Sequence, residues 1–405
     1  MGYTRTGDMG YTWRMPWRSL TPMSQRLEFV VLATQPGLAF SELCRRFKVS
    51  RKTGYKWLAR YKAGGAEALQ DQARKPQRSP KQVPQALAQT VIALRVETTW
   101  CGRKLRRRLL NLGHTSVPAA STCTEILRRA DLLKKDGRPQ GPLQRFERRL
   151  PNELWQMDHK GDVATQCGQR CHPFTVLDDH SRFNLVLDAA ADQRTATVQN
   201  ALQVAFERYG LPEAILCDNG GTWGGGAAGH TPLTVWLLRL GVRVKHGRPY
   251  HPQTQGKEER FHRTLKSELL SRHTWRDLAH CAEAFAPFRH RYNHERPHDS
   301  LQEATPASRY QPSVRAMPAY LPELEYPDMD VRIVRAKGVI TFRNQTWAVG
   351  EAFAKLPIGL RPSPQADGQW EAYFGPCKLG ILDFTSASLA KSAVRPLSLF
   401  RSPRY

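Results

Sequence analysis

No apolar run in this 405-residue chain reaches the roughly 20 residues that a helix needs to cross a bilayer, so no membrane-spanning role is expected. A cysteine framework is also lacking. Cys44, Cys101, Cys123, Cys167, Cys171, Cys217, Cys281 and Cys377 are scattered, and no secretory signal precedes them. A reduced, cytoplasmic setting is therefore the expectation. Cys167 and Cys171 stand four apart near His159 and His172, but no second ligand pair stands at finger-like spacing. That stretch reads as a turn between two strands rather than a zinc site. Acidic side chains are few, 36 against 61 basic, for a formal net charge of +25. The imbalance is uneven. Residues 1–150 hold 30 basic and 10 acidic groups, and the rest of the chain holds 31 and 26. The front of the chain is the main polyanion-binding part.

Regular helical spacing is what the front does have. MGYT occurs at 1–4 and again at 9–12, and residues 1–22 read as a start-site extension that folds into nothing. Residues 23–67 read as three short helices. Ser50 is a good N-cap for the third, RKTGYKWLARYK. Helix, short turn and basic helix make a helix-turn-helix, with Arg51, Lys52, Thr53 and Lys56 exposed toward a major groove. Trp57, Leu58 and Tyr61 would face the core. Residues 68–84 are a polar, proline-punctuated basic linker. Residues 85–140 give a second helical unit, with helices at about 86–97, 102–112 and 121–133 and a capping box at Thr122 and Glu125. Its dense cluster of Arg103, Lys104, Arg106, Arg107 and Arg108 makes Arg103, Lys104 and Arg107 candidate DNA contacts, opposite Leu105, Leu109 and Leu110, with a helical spacer bearing a solvated cationic face as the alternative.

From residue 150 the pattern changes to alternating strands and helices. Trp155 and Met157 alternate with Gln156 and Asp158, and 174–177 and 183–187 continue a meander. Residues 194–209 form an amphipathic helix. Ala214 to Cys217 is a short apolar strand that ends at Asp218, and Thr231-Pro232 opens another helix. Residues 311–327 carry four prolines and read as a linker. Short alternating strands over 328–390 suggest a small β-barrel.

Three carboxylates stand out. Asp158 and Asp218 close strands, and strand ends are where open α/β sheets place ligands. The third lies in RPYHPQTQGKEERFHRTLK at 248–266. At about 100° per residue, Glu258 aligns with the apolar stripe of Phe261, Leu265 and Leu269, while Glu259 aligns with His262 and Lys266. A carboxylate that binds metal beside phosphate should share the cationic face, which favours Glu259. Mg²⁺ prefers oxygen ligands, and two such ions can clamp the attacking and leaving oxygens of an in-line phosphoryl transfer. His251, Lys257, Arg263 and Lys266 are candidate phosphate contacts. Asp179 with Ser181 and Arg182 reads as a structural turn network.

Together, WQMDHKGD, VLDDHSRF, ILCDNGG, RPYHPQTQGKEERFHRTL and YNHERPHDSL resemble the catalytic core of bacterial insertion-sequence transposases related to retroviral integrases, the D,D,E recombinases. The likeness runs through about residues 150–310. It implies a ribonuclease-H-like α/β integrase core at 150–310, set between N-terminal α-helical helix-turn-helix domains and a C-terminal β-barrel. It implies a winged form for the second helical domain, and it places the family glutamate directly before Arg-Phe, at Glu259. It implies that Asp158, Asp218 and Glu259 bind two Mg²⁺ ions, for which Mn²⁺ may substitute. The activity implied is 3′-end cleavage and strand transfer of element DNA after recognition of its terminal inverted repeats. The partners implied are double-stranded repeat and target DNA and further copies of the chain in a dimer or larger synaptic complex, in a bacterial, nucleoid-associated setting. The chain departs from the retroviral pattern in having helix-turn-helix segments where those integrases carry a zinc-binding domain. Its Asp218–Glu259 interval is also long, through the glycine-rich loop GGTWGGGAAGHT at 220–231. A regulator whose core has lost activity, and a plain metal-dependent nuclease, are the alternatives.

Overall fold

Glycine at two helix crossings explains much of how the basic front of the chain packs. The computed structural model describes residues 21–71, 82–133, 147–218, 223, 230–246, 256–385 and 394–399. Most of the 1–22 extension, most of the basic linker, most of the 220–231 loop and His251 lie outside them. The chain divides into two units, residues 1–82 and 83–405.

The first unit has α1 (Pro22–Thr34), α2 (Phe40–Arg46) and α3 (Arg51–Gly64). Thr21 and Ser50 cap α1 and α3, each hydroxyl accepting from the backbone N–H three residues on, at 3.1 and 3.2 Å. Lys48 takes the left-handed conformation in the turn between α2 and α3, with φ of 53°. The three helices close over Phe29, Val30, Leu43, Cys44 and Leu69. α3 meets them at Gly54, where a Cβ would lie 2.9 Å from both Cys44 Sγ and the Phe29 ring. Only glycine allows so close an approach. Trp57 and Tyr61 pack against this core, as expected of the inner side of α3.

The second unit begins with α4 (Gln85–Thr98), α5 (Gly102–Asn111) and α6 (Ala120–Arg129), packed around Val91, Trp100, Leu105, Leu109, Cys123 and Leu127. Gly102 makes the second close crossing: a Cβ there would meet Ala120 O at 2.7 Å. The expected capping box does not form. α6 starts earlier, with Ala119 as an N-cap that offers no side chain, and Glu125 pairs instead with Arg128 and Arg129. No strand lies in 82–133, so among the described residues the second helical domain carries no wing.

The central sheet runs β4-β3-β1-β5-β6, with the short β2 added beside β3. Its strands are β1 (Trp155–His159), β2 (Val163–Ala164), β3 (Arg170–Asp178), β4 (Asn184–Ala190), β5 (Ala214–Cys217) and β6 (Arg243–His246). β4, β3 and β1 pair antiparallel, and β1, β5 and β6 pair parallel. The helices are α7 (Thr195–Tyr209), α8 (Pro232–Arg239), α9 (Gly256–Glu268) and α10 (Leu278–His294). α7 and α8 join the core around Trp155, Phe206 and Ile215, and α9 and α10 join that around Phe261, Phe285 and Phe288. Thr231 caps α8 through a reciprocal box with Thr234. Cys167 sits in the turn between β2 and β3, as its spacing suggested, and Cys171 is buried.

Two corrections concern the C-terminal third. The proline-rich stretch at 311–327 is no free linker at its start. Arg315 donates to the carbonyls of Pro212, Leu240 and Gly241, and Leu211 N donates to Arg315 O at 2.7 Å, strapping the chain to the core. The expected barrel does not close among the described residues. β7 (Asp330–Ile333), β10 (Pro357–Pro362), β11 (Gln369–Phe374), β12 (Cys377–Asp383) and β14 (Ser398–Leu399) form one open sheet, and β8 (Val339–Phe342), β9 (Gln345–Ala348) and β13 (Arg395–Pro396) another. After β9 the chain makes a 3-10 turn at Glu351–Phe353 rather than pairing onward. The turn sinks Phe353 into the shared core, which Val235 and Leu238 of α8 complete. No helix among the described residues is long and apolar enough to cross a membrane.

Candidate active site

Parallel pairing of β1 with β5 sets Trp155 beside Ile215 and Gln156 beside Leu216. The two strands therefore end together, carrying Asp158 and Asp218 at one edge of the sheet. Burial, and then the neighbouring Asp218 charge, push the Asp158 carboxyl up to about 6. Its Oδ1 accepts from His159 N at 2.7 Å. Asp218 accepts from the indole N–H of Trp223, which is buried and stacked on His159 with ring centroids 5.3 Å apart. Both ring nitrogens of His159 are buried without a hydrogen-bond partner. Burial, then His172, lower its pKa to about 4, so it is neutral near pH 7.

α9 lays its first turn against this edge. Glu258 is fully buried, as its place on the apolar stripe predicted. Its Oε2 lies 3.0 Å from Thr175 Oγ1, on the β3 residue directly opposite Asp158. His262 Nε2 lies 2.8 Å from the same hydroxyl and 3.6 Å from Glu258 Oε2, and its Nδ1 is 3.8 Å from Asp158 Oδ2. Burial, then Lys160, lower His262 to about 3. Burial, then Asp158, hold the Glu258 carboxyl well above its usual range. Glu259 points outward, 62% exposed, and pairs with Arg263 at 2.7 Å. The structure thus sets Asp158 beside Asp218 and beside Glu258, and leaves Glu259 on the exposed face; among the described residues no three His, Cys, Asp or Glu side chains converge closely enough to hold a metal ion. His262 was read with that face. It lies one helical turn after Glu258, only about 40° around the axis, and so turns inward with it.

Several expected cationic contacts lie elsewhere. Lys257 is largely buried and pairs with Asp179, and burial lowers it to about 8. Asp179 also accepts from Gln156 Nε2 and Arg148 N, while neighbouring Asp178 takes the N–H and hydroxyl of Ser181. The turn network around Asp178–Arg182 is therefore structural. Lys104 is buried, 4.0 Å from Asp299, and burial lowers it to about 8. Arg103 stays exposed, 3.6 Å from Asp299, and Arg107 is half-buried. The cluster at 103–108 is thus no uniformly solvated face. Arg51, Lys52 and Lys56 are exposed on α3, and Thr53 is half-buried with its hydroxyl against Ser50. Arg263 and Lys266 are exposed on α9. His159, Thr175 and Trp223 were missed. Only the adjacency of His159 to Asp158 signalled one of them, since the other two arrive through tertiary pairing.

Comparison with known proteins matches the same segments. The integrase core domain family matches residues 148–252, and a second integrase core domain family matches 240–306. The C-terminal domain of IS481 family transposases matches 329–390, a helix-turn-helix domain 25–77 and a homeodomain-like domain 53–127. A 31.7 kDa protein of insertion element IS407 from Burkholderia multivorans is 30% identical over 39% of this chain and 54% of its own length. A 39.2 kDa protein of insertion element IS476 from Xanthomonas euvesicatoria is 28% identical over 56% of this chain and 66% of its own. The chain thus spans between about half and two thirds of the length of these relatives. Among solved structures, the HTLV-2 integrase catalytic core domain in complex with magnesium is 15% identical over 40% of this chain and 99% of that one, with a TM-score of 0.31. Helix-turn-helix segments in front, an integrase core in the centre and a transposase C-terminal domain behind together support a bacterial insertion-sequence transposase of the integrase superfamily.

Proposed function

We propose that this protein cleaves the 3′ ends of its element and joins them to target DNA, with Asp158, Asp218 and Glu259 as its divalent-metal ligands. The observation that carries the reading is the pair of aspartates on adjoining parallel strand ends, with the acidic first turn of α9 laid against them. Burial, and then the neighbouring Asp218 charge, push Asp158 up, and a bound cation would relieve that cost. All-oxygen donors suit Mg²⁺, or Mn²⁺ in its place, rather than zinc. Two such ions would neutralise charge on the attacking and leaving oxygens of the phosphoryl transfer.

The chain's own residues do the rest. β1 and β5 hold the two aspartates in register. Arg263 and Lys266 on the outer face of α9 lie where DNA phosphates would approach, and His251 is a further candidate. α3 presents Arg51, Lys52 and Lys56 for recognition of the terminal repeats. Joining two ends calls for a dimer or larger assembly on DNA, in a cytoplasmic, nucleoid-associated setting.

The test is a Mg²⁺-dependent cleavage and strand-transfer assay on DNA carrying the flanking repeats, run on the parent chain and on Glu259→Gln. Cleavage and joining by the parent alone supports the reading and assigns Glu259. Repeat binding without chemistry in either protein would make the chain a DNA-binding regulator. Cleavage without joined product would make it a nuclease.

A further inference from the structure

Resting on the reading of α3 as the helix that recognises the terminal repeats, we propose that Tyr55, with Ala59 one turn further on, reads the 5-methyl group of thymine in the major groove. Contacts to phosphate fix position and orientation, whereas sequence is read at base edges. A lysine or arginine can serve either role. The carbon atoms of an exposed ring or methyl group have nothing to offer a phosphate, and the apolar feature of the major groove is the thymine methyl.

At about 100° per residue, Lys52, Tyr55, Lys56 and Ala59 share one face of α3. That face is turned away from buried Gly54, and all four residues are exposed. Tyr55 is 57% exposed, yet its ring is held. It stacks on Phe40 with centroids 4.2 Å apart and planes 21° from parallel. Phe40 in turn meets the core ring of Phe29 edge-on at 5.9 Å. One side of the Tyr55 ring is thus anchored through α2 to the core, and the other is open to solvent. A ring that is already held loses little freedom when it binds.

The Lys56 ammonium leans the other way, 5.4 Å from the centre of the Trp57 ring, where Arg26 and Arg60 also gather at 4.1 and 5.0 Å. The outer surface of α3 is therefore divided. Cations line its Trp57 edge, and apolar groups stand at Tyr55 and Ala59. Charge draws that surface to DNA, and the apolar pair then meets whatever apolar group the groove presents.

The experiment enriches binding sites from a random-sequence duplex library with the full-length protein. Each thymine of the enriched site is then replaced in turn by deoxyuridine, which lacks only the 5-methyl group, and affinity is measured at one salt concentration. At a thymine facing Tyr55 the parent is expected to lose about fourfold in affinity, the worth of one buried methyl group. Tyr55→Phe keeps the ring and should keep that ratio. Tyr55→Ala should bind thymine and uracil equally at the same position. Tyr55→Lys, whose stem still covers Phe40, should do likewise, and it carries the test if uncovering Phe40 unfolds Tyr55→Ala. Lys52→Ala should weaken both duplexes alike and leave the ratio intact. The ratio compares two duplexes on one protein, so a loss of folded protein cannot imitate the result. An enriched site without thymine, a parent indifferent to every methyl group, or a parent-like ratio in Tyr55→Ala or Tyr55→Lys would overturn the role of Tyr55. Failure of the parent to enrich any sequence would overturn the repeat-recognition reading itself.

Discussion

Two helices of this chain, α3 and α5, look alike in sequence and have different neighbours. Both are short, rich in arginine and lysine, and closed against neighbouring helices by a glycine, Gly54 in one and Gly102 in the other. On α3, Arg51, Lys52 and Lys56 stand in solvent. On α5, Arg108 pairs with Glu295 and Lys104 is buried facing Asp299, both carboxylates belonging to the integrase core. Around them Trp100 donates to Glu268 Oε2 at 3.1 Å, Arg296 pairs with Glu268 at 2.9 Å, and Arg272 reaches the carbonyls of Glu97 and Val96. Part of the positive charge of the second helical domain therefore holds that domain to the core. A run of basic residues marks a face that wants anions, and those anions can be the protein's own.

The largest expected effect lies at that joint. Glu268→Ala strips the partner from a buried arginine and the acceptor from Trp100. It should cost about 3–5 kcal/mol in denaturant unfolding, the usual penalty for an orphaned buried charge. A cost below 1 kcal/mol would mean that the joint is loose and α5 behaves like α3. Next come the glycines. Gly102→Ala presses a Cβ on a backbone carbonyl, and Gly54→Ala presses one on a thiol and two aromatic rings. Each should destabilise by about 1–3 kcal/mol as overpacking. Gly102→Ala should be the worse of the two, because a backbone yields less than side chains. The reverse order in thermal melts would show that the first unit packs the more rigidly.

A pH profile sharpens the same contrast. Burial lowers Lys104 to about 8 from its ordinary 10.5. Between those values the unfolded chain binds the proton and the folded one does not, so stability should rise with pH across about 8 to 10.5. Below 8 that contribution is at its least favourable. Lys104→Met, melted over this range, should lose that part of the rise, and an unchanged slope would place the lysine in solvent. The smallest stability effect belongs to α3. Lys52→Ala should shift unfolding by no more than about 0.5 kcal/mol. It should also lower affinity for repeat DNA and reduce the salt dependence by about one ion. The same substitution at Arg108 should do the opposite, moving stability more than DNA affinity.

Legibility in the sequence follows the same line. The Ser50 cap, the Thr231-Pro232 start of α8 and the strand ending at Asp218 are local signals found where they were read, while β1 runs one residue past Asp158, to His159. The helical phase of α9 correctly buried Glu258 with Phe261 and Leu265. Phase alone did not reveal that the apolar side of α9 opens onto Asp158 and Thr175, which arrive from β1 and β3. Prolines at 311–327 suggested a linker, whereas Arg315 finds three core carbonyls more than 70 residues earlier in the chain. Alternation at 328–390 predicted strands but could not say whether the two sheets close on each other.

The sequence by itself determined the order of domains, the helix and strand periods, and two aspartates at strand ends, because caps, turns and periodicity act over a few residues. Only the tertiary structure decided which charges face each other: Lys104 with Asp299, Lys257 with Asp179, and Glu258 rather than Glu259 beside Asp158. Electrostatic energy depends on distance and on the water excluded between groups, and sequence position specifies neither.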